Sequence, residues 1–188
     1  MREYAERSRI DHFLRTLGRR LSFPIRLYLV GGSIIVDLGL RAATLDLGYV
    51  VDADDTRALE DFERLIPVLK NELQINVEPA SPADFIPVPA NVLARSPYVR
   101  SYGKVSVYYY DLPSVVISKV ARGAERDLAD IESLVQTGAV TWQKVEDTWQ
   151  EMRKSPRGWL RHDPAEIERK LQKVRQRLAA SGVIPKPE

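Results

Sequence analysis

The sequence predicts an α/β (α+β) fold, a mixed sheet with flanking helices and a helical C-terminal part, and three observations predict it. Residues 27–55 read as strand, Gly-Gly turn, helix and second strand. Residues 74–78 and 102–110 carry strand patterns, the second alternating with a period of two. The last third places apolar residues three and four apart, the spacing of helices with one buried stripe.

In chain order, residues 3–20 predict a helix with Ile10, Phe13, Leu14 and Leu17 on one stripe and Gly18 near its end. Ser22-Phe23-Pro24 breaks that pattern and leads into a strand at 27–30. Gly31-Gly32-Ser33 then makes a turn whose backbone can approach a phosphate because no Cβ is in the way, with Ser33 placed to cap a short helix at 34–40. The second strand, 44–51, would put Thr44, Asp46 and Gly48 on one face, because side chains alternate. Thr56 reads as the N-cap of a helix to about residue 73, kinked at Pro67. A third strand at 74–78 ends on Glu78, and Pro79, Pro82, Pro87 and Pro89 make 79–97 a stiff loop. The strand at 102–110 places Val105, Val107 and Tyr109 on one face and Lys104, Ser106, Tyr108 and Tyr110 on the other. Two helices follow, 112–122 and one after Gly123, the latter with Leu128, Ile131, Leu134 and Val135 inward and Asp127 and Asp130 outward. Thr141 and Asp163-Pro164 open two more, and residues 182–188 are expected to fray. The chain divides on this reading into a domain of residues 1–138 and a helical extension, 139–188, packed on it.

Composition bounds the function. The 188 residues suffice for one cored domain with a small appended module, and 44% hydrophobic with 29% charged residues is ordinary for a globular protein. Without cysteine there is no disulfide framework, thiolate nucleophile or cysteine-bound zinc. No segment has the apolar core of a signal peptide or approaches a membrane span, so a cytoplasmic location is expected, with no membrane partner. The net charge of +2 is unevenly spread: residues 27–150 hold 18 acidic against 11 basic side chains, whereas 1–26 and 151–188 are basic. An acidic centre suits a bound divalent cation, and basic flanks suit either a polyanion such as RNA or plain solvation.

The glycine turn and the second strand resemble the nucleotidyltransferase superfamily, whose signature is strand, Gly-Gly or Gly-Ser turn, helix, then a strand bearing Asp-x-Asp. Three further segments agree in order: INVEPASPADFIPVP, GKVSVYYYD and KVARGAERDLADIESLV. Residues 27–138 are together similar to a bacterial nucleotidyltransferase-like family related to the AbiEii and MenT toxin group.

The resemblance implies Mg²⁺-dependent transfer of a nucleoside monophosphate from an NTP to a hydroxyl. By that likeness Gly31, Gly32, Ser33 and Thr44 would contact the nucleotide, with Lys119 and Arg122 reaching its phosphates. Asp46 and Glu78 would hold the metal, and Asp46, Glu78, Lys119 and Asp127 would make up the catalytic set, with Asp130 beside Asp127. Glu78 reads equally as a solvated strand charge, and Lys119 with the aspartates as a helix-surface ion pair. The acceptor would be RNA such as tRNA, a protein or a small molecule, and a cognate antitoxin would be a partner. One departure stands out, since Asp46-Leu47-Gly48 replaces Asp-x-Asp and removes a metal ligand. Gly48 fits a natural loss or an engineered replacement, and either would weaken activity. The alternative is a non-catalytic protein of this fold that binds a nucleotide or a partner chain.

Overall fold

The computed structural model describes residues 4–155, 159 and 162–185. These fall into two compact units, Met1–Ser81 with Ala94–Tyr110, and Pro82–Leu93 with Asp111–Glu188. The mixed α/β architecture read from the sequence is present: among the described residues there are seven α-helices and a five-stranded mixed sheet.

The first unit is built on that sheet. Its strands β2 (Ile25–Val30), β4 (Leu47–Asp52), β5 (Val77–Pro79), β6 (Tyr98–Tyr102) and β7 (Val105–Tyr109) lie in the order β5-β4-β2-β7-β6. Central β2 pairs antiparallel with β4 and parallel with β7. The inward face carries Ile25, Leu27, Leu29, Leu47, Val77, Val105 and Val107, each at most 3% exposed. Helices α1 (Arg7–Arg20) and α3 (Thr56–Glu72) pack together, α1 touches β7, and Phe62 of α3 meets Tyr49 edge-on at 5.3 Å. The opposite face is more polar, with Arg26 paired to Asp52 at 2.8 Å and Tyr28 stacked on Tyr108 at 5.0 Å.

Several local expectations change for identifiable reasons. The strand expected over 102–110 is the second half of a hairpin, because Gly103, with φ of 54°, turns the chain between β6 and β7. That turn sits against α1, where a Cβ on Gly18 would lie 1.8 Å from the Tyr102 carbonyl oxygen. Gly18 lies in the last turn of α1, as expected, and its missing Cβ allows that close approach. Asp55, not Thr56, caps α3 by accepting the Arg57 N–H at 2.9 Å, and Pro67 lies within that helix.

The second unit is helical: α4 (Leu112–Arg122), α5 (Glu125–Gln136), α6 (Trp142–Met152) and α7 (Pro164–Ala180). Helices α4 and α5, grouped with the sheet in the sequence reading, cluster here with α6 and α7. Helix α4 starts at its Asp111 cap, which accepts the Ser114 N–H at 3.1 Å and the Ser114 hydroxyl at 2.5 Å. It ends at Gly123, left-handed with φ of 71°. Thr141 and Asp163 cap α6 and α7 as read from the sequence, and the stripes Val145, Trp149, Met152 and Ile167, Leu171, Val174, Leu178 are buried. Beyond α7, Gly182 with φ of 75° lets the Val183 N–H donate to Leu178 O at 2.9 Å, so the start of the expected frayed tail caps the helix. Residues 3 and 186–188, included in the expected first helix and frayed tail, lie outside the described residues.

Candidate functional site

In the first unit the glycine turn is the organising feature. Strand β2 ends at Val30, and Gly31 adopts φ of 61° and ψ of −124°, a conformation open to glycine, before the one-and-a-half-turn helix α2 (Gly32–Asp37). Ser33 lies inside α2 and does not cap it. Its fully buried hydroxyl accepts the Gly48 N–H at 2.8 Å and donates to the Gly48 carbonyl at 3.3 Å. A Cβ on Gly32 would fall 2.4 Å from Arg41 Nη2 and 2.4 Å from Thr44 Oγ1, so both side chains close directly over that glycine.

The strand expected over 44–51 is split, which revises the shared-face argument. Ala43 and Thr44 form β3 and pair with β1 (Ala5–Glu6), whereas Leu47 onward pairs with β2. The chain changes partners across Leu45 and Asp46, a bend in which Leu45 is 60% exposed and Asp46 half-buried. Simple alternation does not run through Asp46. Thr44 and Gly48 nevertheless both reach the turn, one at Gly32 and the other at Ser33.

Position 48 is cramped without requiring glycine for its backbone, since Gly48 is not among the positive-φ residues. A Cβ there would lie 3.3 Å from Val30 O, 3.5 Å from Ala80 Cβ and 4.0 Å from Ser33 Oγ. On the neighbouring strand Glu78 is the register partner of Gly48, is exposed, and accepts a hydrogen bond from Asn76 Nδ2 at 2.8 Å. Among the described residues no three histidine, aspartate or glutamate side chains group as a metal site. Of the two acids expected to hold a metal, Asp46 lies in the bend before β4 and Glu78 opposite Gly48, and Mg²⁺ there would need phosphate oxygens and waters to complete its six ligands.

A second buried polar group fixes α2. Asp37, the last residue of that helix, has a fully buried carboxylate that accepts Arg100 Nη1 at 2.8 Å, Nη2 at 2.5 Å and the Tyr109 hydroxyl at 2.6 Å. Burial, and then the hydrogen bond to Asp37, pushes the Tyr109 phenol well above its usual range. Arg100 continues to the Tyr102 hydroxyl at 2.8 Å, and Tyr102 donates to Asp11. Sequence reasoning missed Asp37, Arg41 and Arg100. Arg41 had a signal, a lone cation between the apolar helix and Thr44; the partners of Asp37 and Arg100 are 63 residues apart and left none.

In the second unit the structure brings Lys119, Arg122, Asp127 and Asp130 together. Lys119 Nζ donates to Asp127 Oδ1 at 2.9 Å and Asp130 Oδ2 at 2.6 Å, and Arg122 grips Asp127 through Nε at 2.7 Å and Nη2 at 2.6 Å. Lys119, Asp127 and Asp130 are 3%, 2% and 4% exposed. The aspartates thus face inward, and Leu128, expected to be buried, is only half so. The inversion follows from Lys119, because a buried ammonium needs anionic partners and draws that face of α5 onto α4. Burial raises the Asp127 pKa, but hydrogen bonds from Arg122 and Lys119 outweigh it and hold the carboxyl below the usual range.

A family model described as a nucleotidyltransferase of unknown function, DUF6036, matches residues 8–169. The chain belongs to that family. No curated protein and no solved structure matches it. The DUF6036 match spans the glycine turn, the split strand and the Lys119 cluster. No described helix of the chain is long and apolar enough to cross a membrane.

Proposed function

We propose that this DUF6036 chain is a weakened nucleotidyltransferase that moves a nucleoside monophosphate from an NTP to an acceptor hydroxyl. The observation that carries the reading is the Ser33–Gly48 contact, which sets the position that in the superfamily bears the second carboxylate directly beside the glycine turn. In the reaction the acceptor oxygen attacks the α-phosphorus, the bond to the bridging oxygen breaks, and pyrophosphate leaves. Asp46 or Glu78 takes the hydroxyl proton. Gly31, with open space where a Cβ would stand, admits the phosphates close to the backbone, and Arg41 and Thr44, closing over Gly32, border them. Mg²⁺, held by Asp46 and Glu78, would neutralise triphosphate charge. By resemblance to the toxin group, the acceptor is RNA, with tRNA the first to try, and an antitoxin is a partner.

A second reading is non-catalytic binding of a nucleotide or partner chain, and specific observations favour it. The Ser33 hydroxyl is engaged by Gly48, and two of the three Lys119 N–H donors are engaged by Asp127 and Asp130. Incubating the chain with each α-labelled NTP, Mg²⁺ and total tRNA separates the two. Slow label transfer to RNA supports the enzyme. Saturable NTP binding without transfer to RNA, protein or small hydroxyl acceptors supports the binding protein.

A further inference from the structure

Helices α6 and α7 border a groove in two lobes that the nucleotidyltransferase reading does not use. The larger lobe, about 620 Å³, is walled by Val135, Val140, Val183, Ile184 and Pro185. The smaller, about 300 Å³, is walled by Trp149 and Leu171 under a rim of Gln150 and Gln172. Trp142, Gln143, Glu146 and Arg175 line both, so the lobes adjoin at the Glu146–Arg175 ion pair, 3.3 Å long.

The smaller lobe states what it would accept. Three carboxylates, Glu146, Asp147 and Glu168, line it against one guanidinium, Arg175. Arg175 answers Glu146, and Arg153 answers Glu168 at 3.1 Å. Asp147, exposed, has an amide partner, Gln143 at 2.9 Å, and no cation among the described residues. Trp142 is fixed by its indole N–H donating to Glu146 at 3.0 Å. Trp149 is 3% exposed, and its indole nitrogen is buried without a hydrogen-bond partner among the described residues. The excess of carboxylates in this lobe, with exposed Asp147 lacking a cation among the described residues, favours a cation. Three glutamine side chains, Gln143, Gln150 and Gln172, favour a ligand with carbonyls and N–H groups.

We propose that this groove docks a peptide segment of a partner protein in which a lysine or arginine stands next to a bulky apolar residue. The cation enters the tryptophan and carboxylate lobe, and the apolar side chain fills the valine and isoleucine lobe. The peptide main chain crosses Gln143, Gln150 and Gln172. Opposite charge sets which segment binds, and apolar burial supplies most of the affinity.

The test uses acetylated, amidated octapeptides with a central Leu-Arg, Leu-Lys, Leu-Glu or Ala-Ala, titrated into the full chain by calorimetry and followed by tryptophan fluorescence. Leu-Arg and Leu-Lys peptides should bind at about 100 μM or tighter and roughly tenfold better than Leu-Glu. Asp147→Lys should abolish that preference while leaving the thermal midpoint in place, since Asp147 is exposed. The proposal is overturned if basic and acidic peptides bind alike, or if Asp147→Lys binds Leu-Arg unchanged. It is equally overturned if N-acetyl-arginine amide matches the octapeptides, which marks a small-molecule site, or if sedimentation shows a dimer that Asp147→Lys dissolves, which marks a second copy of this chain as the occupant.

Discussion

Ser33 and Gly48 hold each other by two hydrogen bonds, the serine hydroxyl accepting the glycine N–H at 2.8 Å and donating to its carbonyl at 3.3 Å. The pair ties the first turn of α2 to the start of β4. With Asp37 bound to Arg100 at the other end, both ends of this six-residue helix are anchored by side chains. So short a helix has little stability of its own, and the geometry of the glycine turn depends on these two anchors.

Ser33→Ala should therefore destabilise the protein by about 1–3 kcal/mol, because it removes the hydroxyl partner of a buried backbone N–H. Urea unfolding followed by circular dichroism measures it. A midpoint within error of the parent would mean that Gly48 finds another partner and that α2 is positioned without the serine.

Lys119→Met should cost more, about 3–5 kcal/mol, since it leaves Asp127 and Asp130 buried around a missing ammonium. Thermal unfolding checks this directly. Loss of nucleotide transfer in such a variant is evidence for a phosphate contact only if the fold survives. A Lys119→Met protein that unfolds at the parental midpoint while losing NTP binding would argue that the lysine serves the nucleotide.

The pH dependence follows from the carboxylates. Asp127 has a folded pKa held below its unfolded value of about 3.9, so its contribution is fully present above that value. It is lost as pH falls through the folded value, because the unfolded chain binds the proton first. Asp61, lowered first by the Ser22 N–H, and Asp11, where burial is outweighed by Tyr102 and Arg15, act in the same direction. Urea midpoints should hold steady from pH 7 to 5 and drop below about pH 4. Asp127→Asn should be less stable at neutral pH and show a shallower drop. An equally steep drop in that variant would assign the acid limb to other groups.

Much of the fold was legible because local pattern and tertiary demand agree. The helix over 112–122 has Pro113 in its first turn and Gly123 at its end, and the Asp163-Pro164 start of α7 needs no distant partner to be read. The split at Leu45-Asp46 was not legible, because β3 changes partner to Ala5 and Glu6, and pairing between distant segments leaves no mark on local alternation. Asp127 and Asp130 were placed outward because a charged side chain ordinarily prefers water, a preference reversed by the buried Lys119. The sequence expects a phosphate at the glycine turn; the structure shows φ of 61° at Gly31 and the Arg41 and Thr44 side chains closing over Gly32, and nothing in the turn itself marks Arg41 as the closing group.

Gly48→Asp decides most about the site. The backbone at 48 is not in the left-handed region, so an aspartate is conformationally allowed. Its Cβ would press on the Val30 carbonyl at 3.3 Å, a contact relieved by a shift of a few tenths of an ångström, and the stability cost should stay below about 2 kcal/mol. The new carboxylate would stand at the register position opposite Glu78 and two residues from Asp46. If these acids hold Mg²⁺ for an NTP, the variant should bind Mg²⁺ and nucleotide more tightly, read by calorimetry with and without the metal. Its transfer rate should rise by roughly tenfold or more, each tenfold corresponding to about 1.4 kcal/mol at the barrier. If the stable variant neither binds Mg²⁺ more tightly nor transfers faster, residue 48 is not a missing metal ligand and the glycine serves only its contact with Ser33.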